Sequence, residues 1–300
     1  MNARRNLAAG HGTLDPPRDL MTGCGRHFKW ILASQDLMES PVVELALLIV
    51  GGLAAGALGG LLGIGGGIIL MPILRFAIGL PAPQAAGACI VAVFFTTLGG
   101  GYRHYRLGHI VVRSVMPVML AGLVACAGCS LLFPLLARRG GWLDLGIGLV
   151  FLSISVRMLV ESIPGLVSWS REAPQHARVE GGLPQKLSIG AVSGALPGLL
   201  GIGTGGILVP AFAFLLKTPI KTAMAASLVC FCCNAGVSAA FKYTQGYVDL
   251  HVALPLSLGT LVGANLGAII NRRFPSPALK LLFGFVFVCV SLRFILSSVK

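Results

Sequence analysis

The sequence predicts an all-α polytopic membrane protein with two homologous repeats of four to five helices each, in which helices are broken at glycine-rich motifs. Three observations lead to this fold class. The 300 residues are 55% hydrophobic and 11% charged, with a mean hydropathy of +0.86, whereas a soluble domain carries about 25% charged residues. Several charge-poor runs reach the length of about 20 residues that spans a bilayer. A glycine-rich phrase occurs twice, 138 residues apart.

Residues 1–40 form a polar segment of mixed charge that contains Pro16 and Pro17. They lack the apolar core of a secretory signal peptide, and we expect a flexible N-terminal extension. Met38 is an alternative translation start to Met1, because Met-Glu-Ser-Pro leads directly into the first apolar run.

The remaining chain is predicted to form a first membrane repeat at 41–162, a hydrophilic linker at 163–186 and a second membrane repeat at 187–300. Charged residues interspersed with Pro174 and Pro184 indicate the linker. Open sheets are excluded, because backbone groups in lipid must be satisfied within their own segment or a closed barrel. The runs that predict about eight to ten helices are 42–62, 82–101, 110–137, 143–160, 187–200, 223–241, 252–270 and 278–296, with shorter runs at 68–77 and 207–216.

The internal repeat is the strongest signal, because a shift of 138 residues aligns 52–129 with 190–267 without a gap. Such repeats can rock about a shared central site and expose it to each side in turn. Five spans in each half would make the halves inverted, and four would make them parallel. We expect the inverted arrangement, and the number of full spans stays open. Matching pairs include Gly56/Gly194, Gly63/Gly201, Gly65/Gly203, Gly67/Gly205, Pro72/Pro210, Pro81/Pro219 and Tyr105/Tyr243.

The two glycine phrases predict broken helices that bind an anion. Glycine weakens a helix, and the apolar run that follows restarts a helix whose first amides lack partners and attract negative charge. The alternative is close packing of helices through small residues, which we assign to the ladder Gly52, Gly56 and Gly60. The predicted substrate-binding residues are Gly63, Gly65, Gly66, Gly67, Gly201, Gly203, Thr204, Gly205 and Gly206, and the predicted hinges are Pro72 and Pro210.

Asn234 and its repeat partner Thr96 complete the predicted substrate-binding set. Both lie inside apolar runs, in the third span of their half. An amide within a membrane needs a polar partner. The Asn234 side chain is therefore expected either to form a hydrogen bond between helices or to contact the ligand, and the sequence does not decide between these two roles.

Catalytic and nucleotide-dependent functions are disfavoured. Residues 201–206 fit the dinucleotide pattern G-x-G-x-x-G, but no acidic residue follows about 20 positions later. A Walker A motif and an H-E-x-x-H motif are both missing from the sequence. Seven of the eight cysteines lie in apolar runs and are expected to pack as small hydrophobes. We therefore predict no enzyme, no cofactor and no metal site.

The net charge of +13 does not indicate a nucleic-acid partner, because the basic residues lie in short loops. This distribution is typical of charges that anchor spans and set topology. Helical apolar spans predict a multi-pass protein of a bacterial inner membrane, surrounded by the lipid bilayer. A homo-oligomer is left open. The basic pairs are Arg103 and Arg106, Arg138 and Arg139, Lys217 and Lys221, and Arg272 and Arg273.

The paired phrases resemble the sulfite exporter TauE/SafE family of membrane permeases. In this sequence they read GIGGG at 63–67 and GIGTGG at 201–206, each followed by an aliphatic run and by Pro72 or Pro210. The resemblance covers about 42–298 and implies a permease for sulfur-containing anions such as sulfite, sulfoacetate and other organosulfonates. Thr204 replaces the equivalent Gly66 in the second half, so the two arms need not be equivalent.

Two functional hypotheses follow. The first is a secondary transporter of a small anion, by alternating access at the interface between the repeats. The second is a non-transporting membrane scaffold or assembly protein that uses the glycines for helix packing. A channel is a third alternative. The cargo, its direction, the coupling ion and the oligomeric state do not follow from the sequence.

Overall fold

A computed structural model describes residues 41–62, 65–106, 111–138, 140–162, 179, 181–270 and 276–298. The predicted extension at 1–40, most of the linker and Gly63 lie outside the described residues. Contacts divide the chain into residues 1–44 and a compact unit of residues 45–300, to which the packing below belongs. The helices are α1 (Pro41–Leu62), α2 (Gly67–Pro72), α3 (Ala82–Arg106), α4 (Val112–Arg138), α5 (Gly140–Ser162), α6 (Leu183–Leu200), α7 (Gly205–Pro210), α8 (Ile220–Thr244), α9 (Leu250–Ile270) and α10 (Ser276–Ser298).

The described part of the chain contains four helices that are long and apolar enough to cross a membrane: α3, α4, α8 and α9. Large apolar side chains remain exposed along them, such as Val124 at 76% and Leu258 at 64%. Contiguous exposed apolar surface of this kind is typical of a face that contacts lipid. The predicted all-α, multi-pass membrane architecture is confirmed at this level.

Glycines set the closest contact between α1 and α9. A Cβ on Gly52 would lie 2.6 Å from the carbonyl oxygen of Leu256, and a Cβ on Gly60 would overlap the backbone of Ala264. Residue numbers rise together along this contact, so the two helices run parallel. The ladder predicted to serve packing does so, because only a residue without a side chain fits at this distance.

The same kind of contact joins α6 to α4. Gly190 lies against the backbone of Val118, and Gly198 lies against Cys126, whose carbonyl oxygen would be 2.8 Å from a Cβ. These helices are also parallel. Pro184 lies in the first turn of α6, where a proline is favoured, so this helix begins four residues before the predicted repeat boundary at residue 187.

Two pairs of central helices run antiparallel. In the α3–α8 pair, Gly101 lies near Val229, while Gly236 lies near the ring of Phe94. In the α5–α10 pair, Gly148 lies near Ile295 and the Ser155 hydroxyl donates to the Gly284 carbonyl at 2.6 Å. These pairs fix the direction of the chain through the compact unit.

Helices α3 and α9 are parallel, since the Thr260 hydroxyl donates to the Ala92 carbonyl at 3.2 Å and Gly99 lies near Leu261. Helix α1 is parallel to α9 and therefore also to α3. The chain between α1 and α3 must return to the side from which α1 started. Helix α2 and the π-helical turn Ile73–Ala77 make this return, so the predicted run at 68–77 is not a full span.

The second half makes the same return. Helices α6 and α8 both run parallel to α4. For α8 this follows from two contacts along which residue numbers rise together: the Cys126 thiol lies 3.2 Å from the Asn234 carbonyl, and the Lys242 ammonium lies over the Phe133 ring. Helix α7 and the π-helical turn Ala211–Leu215 lie between them. The α1–α2 and α6–α7 pairs are therefore helical hairpins, each entering and leaving on one side.

Candidate functional site

Each hairpin has a non-helical tip, which we call the first break (described at Gly65 and Gly66) and the second break (Gly201–Thr204). The two tips meet in the core. A Cβ on Gly67, the first residue of α2, would lie 2.7 Å from the backbone nitrogen of Gly203. Both residues are buried. The structure thus brings the two predicted glycine motifs together.

The first break depends on left-handed glycines. Gly65 has a φ of 81° and Gly66 a φ of 72°, values that residues with a Cβ adopt only at a cost. The Gly66 carbonyl then accepts bonds from the amides of Ile69 and Leu70 at 3.0 Å and starts α2. Space is also restricted, because a Cβ on Gly65 would lie 3.0 Å from the Thr97 methyl group.

The second break begins at Gly201, which ends α6 with a φ of 66°. Thr204 then precedes α7 and accepts bonds from the amides of Ile207 and Leu208 at its carbonyl, both at 2.9 Å. The Thr204 side chain is 0% exposed, and its hydroxyl has no hydrogen-bond partner among the described residues. Gly205 and Gly206 are buried in the first turn of α7.

Asn234 lies on α8, and its side chain is also 0% exposed. Neither its amide nitrogen nor its amide oxygen has a partner in the described part of the chain. The amide lies against Gly122 of α4, where a Cβ would come within 2.8 Å of both atoms. A buried amide without partners carries a desolvation penalty. The Asn234 side chain makes no hydrogen bond to another helix within the described residues.

Thr96 differs from its predicted partner. It is 1% exposed, and its hydroxyl donates to the Ala92 carbonyl of the same helix at 2.8 Å. This local bond satisfies its donor. The Thr96 hydroxyl therefore already has a hydrogen-bond partner within its own helix, whereas the Asn234 amide has none among the described residues.

The predicted hinges Pro72 and Pro210 each lie at the junction between a short α-helix and a π-helical turn. Proline has no N–H group for the α-helical ladder, and a π turn is a wider, less common arrangement. The structure therefore has a change of helical pitch at both positions. Bending there stays a prediction.

Sequence reasoning missed Lys242. Its side chain is 0% exposed, and its ammonium donates to the carbonyls of Pro197 and Gly198, both at 3.0 Å, and to the Ser238 hydroxyl at 2.8 Å. Those carbonyls belong to the last turn of α6, next to the second break. The ammonium also lies 4.2 Å from the centre of the Phe133 ring.

The predicted repeat contains a signal for Lys242. The shift of 138 residues pairs Lys242 with His104, directly before the matched Tyr105 and Tyr243. Both halves therefore carry a basic residue at this position. The predicted apolar run at 223–241 stopped one residue before Lys242, whereas α8 continues to Thr244.

An ion pair fixes the first hairpin at its base. Arg75, in the first π-helical turn, donates from Nε to Oδ1 of Asp144 at 3.2 Å and from a terminal nitrogen to Oδ2 at 2.8 Å. A further bond reaches the Leu80 carbonyl at 3.2 Å. Asp144 belongs to α5 and is 3% exposed, so this bidentate pair connects the returning segment to α5.

Two clefts open near the ends of the helices. One, of about 430 Å³, is lined by residues that include Gln84, Tyr247 and His251. The other, of about 670 Å³, is lined by residues that include Arg75 and Asp144. Neither lining contains a residue of the two breaks, so the structure holds the meeting point of the breaks closed to both clefts.

The sequence of the chain is similar to that of known membrane proteins. The family model described as sulfite exporter TauE/SafE matches residues 48–294. The chain is 26% identical over 274 residues to the probable membrane transporter protein YunE of Bacillus subtilis, covering 86% of this chain and 99% of the relative. A probable membrane transporter protein of Xylella fastidiosa is 30% identical over 253 residues, with 83% and 93% covered. One of Haemophilus influenzae is 28% identical over 277 residues, with 84% and 98% covered. No solved structure matches the chain significantly.

Proposed function

The chain belongs to the sulfite exporter TauE/SafE family of membrane transporters, and we propose that it is a secondary carrier of a small sulfur oxyanion, such as sulfite or a sulfonate. The observation that carries this proposal is the contact between the two breaks, where Gly67 meets Gly203 beside a buried and unpartnered Thr204 hydroxyl. Unwound backbone at membrane depth is tolerated where it lines a binding site or is buried in protein.

The chemistry of the core favours an anion. Backbone amides at helix starts and the Thr204 hydroxyl can donate to oxyanion oxygens. Asp144 is paired with Arg75 at the base of the first hairpin, so this carboxylate does not lie at the breaks. An oxyanion bound between the breaks would satisfy donors that are buried and unpartnered without it.

We propose that access alternates between two inverted repeats, which requires the two halves to have opposite orientation. A pair of equivalent contacts supports this orientation. Gly52 contacts Leu256, and the residues that the shift of 138 pairs with them, Gly190 and Val118, also contact each other. Equivalent helices α3 and α8 are antiparallel. Each hairpin returns to its own side, and we propose that the three helices after it, α3–α5 in the first half and α8–α10 in the second, all cross the membrane, which is an odd number. We propose that the hairpins enter from opposite sides and meet at the substrate.

The scaffold alternative is not favoured. A protein that used glycines for packing would need the ladders on α1 and α6, but not left-handed breaks with unpartnered polar groups. The closed meeting point corresponds in our proposal to an occluded state, which opens to one side when the hairpins move at Pro72 or Pro210.

Uptake into proteoliposomes tests the function. Labelled sulfite, thiosulfate, sulfoacetate and taurine are supplied to the wild type, to Gly203→Val and to Gly128→Val. Gly128 is a matched control, because a Cβ there meets nothing within 4 Å. We expect Gly203→Val to lose flux while it remains folded, and Gly128→Val to keep it. Failure of the wild type to move any of these solutes, or equal flux in both variants, would contradict the proposal.

A further inference from the structure

Lys242 is a buried cation whose neighbours are neutral. Its hydrogen-bond partners are two backbone carbonyls and the Ser238 hydroxyl, and an aromatic ring lies on another side. By contrast, Arg75 is paired with Asp144. No carboxylate of the described residues forms a salt bridge with Lys242. The carbonyl end of α6 compensates part of its charge through the helix dipole.

We propose that Lys242 is the counter-ion that binds the transported anion beside the second break and selects for negative charge. The inference rests on the proposed function and adds the residue that determines the charge of the cargo. Charged residues within membrane segments are costly to bury, and they mark ion or substrate pathways. All three N–H groups of the ammonium donate within the protein, so an arriving anion would replace one of these acceptors and complete the neutralisation that α6 provides in part.

The position of Lys242 suits this role. A Cβ on Gly201 would lie 3.0 Å from Cε of Lys242, so the lysine stem contacts the residue that opens the second break. Asn234, Ser238 and Lys242 follow one another at intervals of four residues and share one face of α8. All three are buried. The face therefore leads from the ammonium to the unpartnered Asn234 amide over about 12 Å of helix.

Two aromatic rings separate Lys242 from a cleft on one side of the molecule. The Phe133 ring that covers the ammonium also packs edge-on against Tyr247, with 5.2 Å between ring centres. Tyr247 lines the cleft of about 430 Å³. The two rings are the barrier between this cleft and Lys242, and their rotation would admit an anion from that side.

The competing explanation is a purely structural cap of α6. A glutamine at 242 separates the two roles, because its amide can still donate to the α6 carbonyls but carries no charge. Lys186 provides the matched control. Its ammonium donates to the carbonyls of Val179 at 2.9 Å and Ser114 at 3.4 Å, but it lies at the start of α6.

The test measures thermal unfolding of the purified full chain in detergent against increasing sulfite, sulfate, sulfoacetate and chloride. We expect an anion to stabilise the wild type and Lys186→Gln at the same concentrations. Lys242→Gln should need an anion concentration at least about ten times higher, because the variant loses a hydrogen bond between a charged donor and the anion.

Ser238→Asp gives a second test that does not remove the lysine. A carboxylate one turn from Lys242 would neutralise it internally, and the variant should lose anion affinity to a similar extent while it remains folded. This variant decides the matter if Lys242→Gln does not fold.

The outcomes separate the two proposals. Equal stabilisation of wild type and folded Lys242→Gln, or of wild type and Ser238→Asp, overturns the role of Lys242 and leaves the transport proposal standing. Absence of stabilisation of the wild type by all four anions overturns the inference, and absence of uptake in proteoliposomes then overturns the proposed function as well.

Discussion

The buried hydroxyl of Thr204 is the clearest conflict between stability and function at the scale of single residues. It is 0% exposed and has no described partner, so folding buries a polar group without compensation. Such a group costs about 1–3 kcal/mol. A residue retained at this cost is expected to contact something that binds there.

Thr204→Val should therefore raise the temperature of unfolding and lower oxyanion uptake. Valine has nearly the same shape but no hydroxyl, so the desolvation cost disappears together with a donor to the substrate. We expect uptake to fall by about tenfold. Thr260→Val is the control, because the Thr260 hydroxyl donates to Ala92 and Ser257, and its loss should destabilise the protein. A destabilised Thr204→Val with normal uptake would contradict this prediction.

The sequence allowed the breaks to be located, because positive φ at Gly65, Gly66 and Gly201 depends on local chemistry that only glycine supplies cheaply. It did not identify Lys242 as buried. That burial depends on carbonyls of α6 and on Phe133, which come from distant parts of the chain. Local hydropathy cannot report such contacts, and only the pairing with His104 hinted at them.

At the scale of elements, the returning segment after α2 is held by Arg75 and Asp144. The partners differ in exposure, with 24% of the Arg75 side chain and 4% of the Asp144 side chain accessible. Removal of one partner leaves the other to be hydrated, and hydration is easier for the more exposed group. The two single substitutions should therefore have unequal effects.

We expect Arg75→Met to lower the stability more than Asp144→Asn, because Arg75→Met leaves a buried carboxylate without a cation and with only the Ser297 hydroxyl, at 3.4 Å, as a donor. A buried charge without its partner costs about 3–5 kcal/mol. The double variant should be more stable than Arg75→Met alone. Thermal unfolding of the purified variants checks this order. Equal losses in both single variants would contradict it, and no loss in either would show that the pair does not hold the hairpin.

Whether the short apolar runs crossed the membrane could not be predicted from composition. The run at 68–77 has the hydropathy of a span and half its length. Its direction is fixed by contacts of α1 with α9 and of α9 with α3, which join residues more than 150 positions apart. Periodicity within one segment contains no information about such pairs, so the sequence left four and five spans open.

At the scale of the whole molecule, the proposed inversion places equivalent loops on opposite sides of the membrane. Gly79 and Lys217 follow the two π-helical turns and are 138 residues apart. Both are exposed and both have positive φ, 80° and 47°. Lys217 demonstrates that a side chain is tolerated in this conformation, and a Cβ on Gly79 meets nothing within 4 Å.

Gly79→Cys and Lys217→Cys should therefore react with a membrane-impermeant maleimide from opposite sides. In intact cells one variant should be labelled, and the other should be labelled only after permeabilisation. The wild type serves as control for the native cysteines, since those on the described helices lie within apolar segments. Labelling of both variants from the same side would mean that the hairpins enter together. The inverted arrangement of the two halves would then be wrong, and the opposed hairpins could not form the central site that we propose, even if oxyanion uptake were measured.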